Sequence, residues 1–521
     1  MRSFRFPKEF QQTKRTKKKM KPYRNRGKLS FKLKKSFPPP CTEEMNFQEC
    51  ELAILRQATD EIETTSKREI ANSDDVKNMI SIVEQFLCDT KCICYGGTAI
   101  NNILPEHDQF YNKDVEVPDY DFYSKTPVEH AKQLANIYHE KGYTDVEAKS
   151  GMHYGTYKVF VNFIPMADIT YLHDEIFDNL SKEAIKINNI FYAPPNFLRM
   201  GMYLELSRPS GDVSRWEKVL KRLTLLNKYY PLKSNKCHEV DFQRTTNTHT
   251  EDKLSNLYYL IRDSFIEQGC VFFGGYASSL YSKYMPAHQK QIVKIIPDFD
   301  VLHENPELAA SIIVNLLKEH DFKKVKLVKH DAIGEVIPLH FEIVVGKESL
   351  AHIYKPIACH NYNEIFMDER KIRVATIDTI LSFYLAFLYS NQSANKTKYK
   401  DRLLCMSTFL FEVEQKNRLA QKGVLKRFSI QCYGTQETLE TIRTEKSEMF
   451  KKLRKNRTNA EWERWFLKYS PYSKPEDIKE HDEKSSTAKP VNVDPRPRST
   501  KKKKKKDGSK RQFKRKSDFL F

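Results

Sequence analysis

None of the ten cysteines stands at CxxC spacing, and neither Cys237-His238 nor Cys359-His360 has companions at zinc-finger distance. That excludes the common Cys/His zinc modules. In a chain of this size without a secretion signal, a disulfide framework is not expected, so the cysteines read as ordinary thiols in a reducing compartment. No apolar run approaches the ~20 residues of a transmembrane helix. This argues against an α-helical membrane span, and no membrane partner is expected. The basic N-terminus is not followed by an apolar stretch, which excludes a secretory signal and predicts a protein that is not secreted. Acidic residues are nearly missing from both ends. Residues 1–37 hold 15 Lys/Arg against the single Glu9, and residues 484–521 hold 15 Lys/Arg against three Asp.

The formal charge of +20 therefore sits in the ends, which together carry +26 and leave −6 for residues 38–483. Two polycationic arms concentrate a polyanion, most simply nucleic acid, although lysine runs such as Lys501–Lys506 also serve as localisation signals. With 521 residues and 40% hydrophobic content the chain is too long for one core. The expected organisation is a disordered basic arm over 1–40, a first folded domain over 41–240 and a second over 241–412. A helical region over 413–483 and a disordered tail over 484–521 complete it. Near the start, Ser73 with Asp74 and Asp75 predicts a helix N-terminus, with Val76, Ile80, Val83 and Leu87 on one face.

The chain repeats itself. Cys94-Tyr-Gly-Gly-Thr-Ala returns 178 residues later as Phe272-Phe-Gly-Gly-Tyr-Ala. The first copy continues to Pro118-Asp119-Tyr120-Asp121, with Asp119 lying 22 residues after Gly97. The second continues to Pro297-Asp298-Phe299-Asp300, with Asp298 lying 23 residues after Gly275. Two Gly-Gly pairs alone would be accidental; two that each lead at matching distance to Pro-Asp-aromatic-Asp mark a duplication.

Alternate residues of a strand share a face, so Asp119 and Asp121 point the same way, roughly 6–7 Å apart along the backbone. Their carboxylates can converge on two hard cations about 3.5–4 Å apart, the arrangement used for in-line displacement at phosphorus. A third carboxylate should come from a neighbouring strand. The apolar segment Lys158–Ile169 offers Asp168, since a lone acid there is costly unless it binds metal or is otherwise compensated; a turn cap is its bland alternative. Gly96-Gly97-Thr98 opens a helix whose free N–H groups can receive a phosphate, with the Thr98 hydroxyl as a further donor. Arg215, Lys218 and Arg222 fall on one helix face, with Lys221 beside them, and could contact a triphosphate or RNA; a solvated charged face explains any one of them equally well.

Gly-Gly-[Ser/Thr], Asp-x-Asp and a third Asp on a later strand resemble the polymerase-beta-like nucleotidyltransferase superfamily. More specifically, five stretches of the chain resemble the poly(A) polymerase catalytic subunits of nucleocytoplasmic large DNA viruses, of the mimivirus and African swine fever virus type. These are Tyr95–Asn101, Val117–Tyr123, Met166–Ile169, Ser207–Lys218 and, in the second copy, Phe273–Tyr276 with Pro297–Asp300; the resemblance spans about 45–415. It implies an α/β (α+β) fold of two tandem nucleotidyltransferase domains, each a small mixed sheet flanked by helices. It implies ATP as substrate, two Mg²⁺ or Mn²⁺ ions, and AMP transfer to RNA 3′ ends of viral messages. Asp119 and Asp121 would hold both ions and Asp168 the ion at the RNA 3′-hydroxyl. Gly96, Gly97, Thr98, Arg215 and Lys218 would bind nucleotide. It further implies a homodimer, located in the viral factory of the host cytoplasm and in the virion. Base choice rests on the resemblance alone, so uridylyl or CCA-type addition stays open, as does an inactive RNA-binding scaffold. In the second copy Tyr276 replaces Thr98, and its bulk is expected to obstruct the phosphate pocket. Aligning Leu350-Ala-His-Ile with Met166-Ala-Asp-Ile puts His352 where Asp168 stands, with Glu342 as a rival third acid. An imidazole is a poor ligand for a hard cation, so no transfer is expected there.

Overall fold

The computed structural model describes residues 41–42, 44–112, 116–234, 237, 240, 251–293, 299–391 and 396–472. Both basic arms lie outside the described residues, as do Pro297 and Asp298. The chain forms two compact units, residues 1–69 and 70–521. In the first, Asn46 and Glu49 exchange side-chain-to-backbone hydrogen bonds at 3.0 and 2.9 Å, a reciprocal cap that starts helix Phe47–Asn72.

The second unit opens with helix Asp74–Thr90, where the Ser73 side chain accepts from Val76 N at 3.1 Å. Val76, Met79, Val83, Phe86 and Leu87 form its buried face. Sixteen strands follow among the described residues. They are β1 (Ile93–Cys94), β2 (Tyr120–Ser124), β3 (Val146–Ser150), β4 (Thr156–Val161), β5 (Ile164–Tyr171), β6 (Ile185–Ile187) and β7 (Ile190–Tyr192). Then come β8 (Val271–Phe272), β9 (Phe299–Leu302), β10 (Val325–His330), β11 (His340–Val345), β12 (Glu348–Tyr354), β13 (His360–Met367) and β14 (Arg370–Ala375). The last two are β15 (Cys432–Tyr433) and β16 (Lys468–Tyr469). They build two mixed sheets, ordered β16-β3-β4-β5-β2-β1-β7-β6 and β10-β11-β12-β9-β8-β14-β13-β15. Without the short edge strands β15 and β16, the two orders superpose strand for strand, so the sequence repeat is a repeat of topology. Besides helices Leu439–Leu453 and Ala460–Phe466, the described part of 413–483 supplies β15, which closes the second sheet, and β16, which closes the first.

Each copy has a helix against one sheet face, and both helices start on proline: Thr126 precedes Pro127–Glu140 and Asn305 precedes Pro306–Glu319. Val146, Ala148, Tyr157, Val159, Val161, Ala167 and Ile169 turn inward under the first of these helices, while Glu147, Lys149, Lys158, Phe160, Asp168 and Thr170 beside them stay partly exposed. The copies meet through helix Pro195–Leu206 against helix Ile377–Phe387, whose eleven residues are all buried. Asn361 N donates to Ser207 O at 2.8 Å across the same junction.

One expectation is corrected here, that of the cysteines. Lys158–Ile169 spans a hairpin of β4 and β5, turned by Asn162 and Phe163, both at positive φ (49° and 65°). Phe163 is 86% exposed and takes a conformation that bulky residues rarely adopt, so no Gly or Pro marked the turn. The cysteines are not all free thiols: Cys41–Cys50, Cys237–Cys405 and Cys359–Cys432 are disulfide-bonded. Separations of 168 and 73 residues leave no spacing signature, and the β13–β15 pairing is what brings Cys359 to Cys432.

At the junction the Arg427 guanidinium is held by Asp378 (2.8 and 3.1 Å) and Glu414 (2.7 Å), and Asp378 is fully buried. Burial, then the neighbouring Asp378, pushes the Glu414 carboxyl up to about 8 despite the arginine. Arg427→Met leaves the fully buried Asp378 without its ion-pair partner and should cost ~3–5 kcal/mol. Chemical denaturation at neutral pH checks this, and a midpoint equal to wild type contradicts it.

Candidate active site

The acids come together through strand register. β2 runs parallel to β5 with Asp121 directly opposite Asp168, and Asp119 stands one residue before β2. Ligand oxygens of Asp119, Asp121 and Asp168 all lie within 4.8 Å of one another, the only such cluster among the described residues. This fits divalent cations: Asp168 Oδ1 is buried without a hydrogen-bond partner, and three oxygen donors suit a hard ion.

The glycine turn packs directly against these acids. Tyr95 N donates to Asp121 O at 2.9 Å, tying the turn to β2. Gly96 has φ +70°, and a Cβ there would stand 2.6 Å from Asp121 Oδ2, so conformation and space both demand glycine. A Cβ on Gly97 would collide with the Tyr111 hydroxyl and crowd the Arg222 guanidinium at 2.9 Å. Helix Gly96–Ile103 begins here and points its first N–H groups at the site. Thr98 is buried, and its hydroxyl donates to Asp119 O at 2.6 Å. It anchors the acid-bearing segment rather than standing free for a phosphate.

The electrostatics of the cluster suit a cation. Burial, then Asp119 and Asp168, pushes the Asp121 carboxyl up to about 7, with Lys158 and Arg215 opposing. Asp119 is raised in the same direction by desolvation and Asp168, although it is more exposed than Asp121. Lys158, opposite Asp168 across the β4–β5 hairpin, forms an ion pair with it.

Of the predicted basic residues, Arg215 forms a 3.1 Å ion pair with Glu205 and acts on Asp121 only at longer range. Lys218 is exposed. Arg222, on the same helix, Trp216–Tyr229, is the one beside Gly97; it donates to Tyr111 Oη at 2.9 Å and lies 4.8 Å over the Phe110 ring. Lys158 was missed, yet the pairing follows once Asn162 is taken as the hairpin turn. A cavity of about 810 Å³ includes Thr98, Asn101, Asn102, Tyr111 and Asp119 in its wall. A second, of about 610 Å³, lies around Arg427 and contains none of the site residues.

Residues 81–212 match the family model described as poly(A) polymerase catalytic subunit. The resemblance read from the motifs thus holds for the segment that carries Gly96 to Asp168. A protein of African swine fever virus (isolate Pig/Kenya/KEN-50/1950) with the provisional name poly(A) polymerase catalytic subunit is 32% identical over 192 residues, 34% of this chain and 40% of that protein. One of Acanthamoeba polyphaga mimivirus with the same provisional name is 34% identical over 158 residues, 30% of this chain and 26% of that protein. The chain thus spans well under half the length of these relatives. The crystal structure of the Megavirus polyadenylate synthase shares the fold at TM-score 0.69 and 19% identity, covering 87% of this chain and 93% of that one.

The second copy keeps the frame and changes the chemistry. β9 runs parallel to β12 with Asp300 opposite His352, the register position of Asp168. Glu342 lies opposite His352 on β11, where the first copy has Lys158. The imidazole stands between the two acids, 3.7 Å from Asp300 and 3.8 Å from Glu342. A Cβ on Gly274 would collide with Asp300, as at Gly96. Tyr276 does not obstruct a phosphate pocket as expected; it is buried, 4.7 Å from the Phe272 ring and 5.8 Å from Phe299.

A carboxyl raised to about 7 in the fold and near 3.9 when unfolded stabilises the protein below ~4, and this contribution is lost as pH rises to 7. In metal-free protein, Asp121→Asn should therefore raise stability at pH 8 by ~2–4 kcal/mol, with the gain vanishing near pH 4. Mn²⁺ should raise the Tm of wild type and not of the variant. A pH-independent difference, or equal Mn²⁺ shifts, contradicts this.

Proposed function

We propose that the chain is a template-independent polynucleotide adenylyltransferase that adds AMP from ATP to RNA 3′ ends. The observation that carries this reading is the pairing of Asp121 with Asp168 beside Asp119, set against a glycine turn at a helix start. In the reaction, the RNA 3′-hydroxyl attacks the α-phosphate of ATP, a phosphodiester bond forms and pyrophosphate leaves. Two divalent cations held by Asp119, Asp121 and Asp168 would supply Lewis-acid activation of the hydroxyl and charge neutralisation at the phosphates. Asp121 must give up its proton to act as a ligand. Gly96 and Gly97 let the triphosphate approach the backbone, where the N–H groups of helix Gly96–Ile103 and the Arg222 guanidinium offer donors. Lys158 stays paired with Asp168 beside the acceptor.

The second copy is assigned a structural part, since His352 replaces the third oxygen ligand and a neutral imidazole is a weak ligand for Mg²⁺. Primer extension on oligo-RNA with each of the four NTPs tests both points. Asp121→Ala should lower AMP incorporation by several orders of magnitude, with Asp300→Ala nearly silent. Equal incorporation of UTP would sink adenylate specificity, and equal losses from the two variants would sink the division between the copies.

A further inference from the structure

The strand register draws a line of charge across the first sheet. Asp121 on β2 stands opposite Asp168 on β5, Asp168 opposite Lys158 on β4, Lys158 opposite Lys149 on β3, and Lys149 opposite Lys468 on β16. Directly paired residues share a sheet face, so two acids and three lysines form one row, one residue per strand. The face is the half-exposed one: Lys158 and Lys149 have 36% and 43% of their side chains accessible, and Lys468 is exposed. Lys149 Nζ is 2.9 Å from Glu147 and lies over the Phe160 ring, 4.1 Å from its centroid.

We propose that Lys158, Lys149 and Lys468 form the track along which the phosphates of the acceptor strand reach the aspartates. The inference rests on the adenylyltransferase reading and adds the direction from which RNA arrives. The glycine turn follows β1 and lies on one side of the aspartates; the lysines lie on the other, over β4, β3 and β16. The two polyanions, triphosphate and RNA, thus approach from opposite edges. Neighbouring strands are ~4.8 Å apart, so the row reaches ~14 Å beyond Asp168, room for the last few nucleotides. The duplicate serves as an internal control. Its equivalent row reads Asp300, His352, Glu342, Val328, with no lysine at any position. The copy that has exchanged the third aspartate has exchanged the track with it.

The test compares the full chain with Lys149→Gln/Lys468→Gln, binding a short labelled oligoadenylate over a range of salt. The basic arms are common to both proteins and cancel in the difference. Each lost single-strand phosphate contact removes ~0.7 from the slope of log affinity against log salt, so the pair should flatten it by ~1.4. Lys323→Gln/Lys326→Gln, an equal charge change near the other sheet, should leave the slope near wild type, and Lys149→Arg/Lys468→Arg should retain it. In primer extension the Gln pair should raise the KM for RNA and leave the KM for ATP and kcat at saturating RNA unchanged. An unchanged salt slope in the Gln pair, or an equal loss in the Lys323/Lys326 pair, overturns the track. The binding measurement needs no turnover, so failure of wild type to incorporate nucleotide would defeat the adenylyltransferase reading separately.

Discussion

Three carboxylates within 4.8 Å of one another are a repulsive arrangement that a fold must compensate. In the first copy the compensation is a lysine on one acid and a raised carboxyl on another, which leaves a charge deficit suited to divalent cations. The same frame solves the problem differently 178 residues later. There an imidazole replaces the third acid and sits between Asp300 and Glu342, so the cluster of three carboxylates is not repeated. Moving from one copy to the other, acid becomes histidine and lysine becomes glutamate. These two positions face each other across one hairpin.

Backbone geometry enforces the arrangement. The parallel β2–β5 register fixes Asp121 against Asp168, and the β4–β5 hairpin fixes Lys158 against Asp168. Gly96 lets the turn press on the Asp121 carboxylate, while Thr98 holds Asp119 by its carbonyl. A one-residue slip of β5 would turn Asp168 into the apolar layer beneath helix Pro127–Glu140 and leave no site.

Much of this was legible in the residues. The duplication, the alternation at Asp119 and Asp121, the glycine turn and the cap at Ser73 all depend on local chemistry that spacing exposes. The acid on Lys158–Ile169 was legible because an apolar segment makes a charge conspicuous. What spacing could not expose was set by pairing. The hairpin within that segment turns on Asn162 and Phe163 and lacks the usual glycine, so Lys158 stayed hidden. Arg222 was one of four basic residues on a helix until Tyr111 and Gly97 singled it out. Cys237–Cys405 and Cys359–Cys432 join residues far apart in sequence, and no local rule predicts such pairs. Tyr276 looked like an obstruction because its size was read without its direction.

On the proposed reading the first copy holds the ions and the second does not. Anomalous scattering from crystals soaked in Mn²⁺ with a non-hydrolysable ATP analogue tests it most directly. The predicted result is density for manganese at Asp119, Asp121 and Asp168, with nucleotide phosphates against Gly96 and Gly97, and none at Asp300 and His352. Manganese at Asp300, or none at the three aspartates, would contradict it.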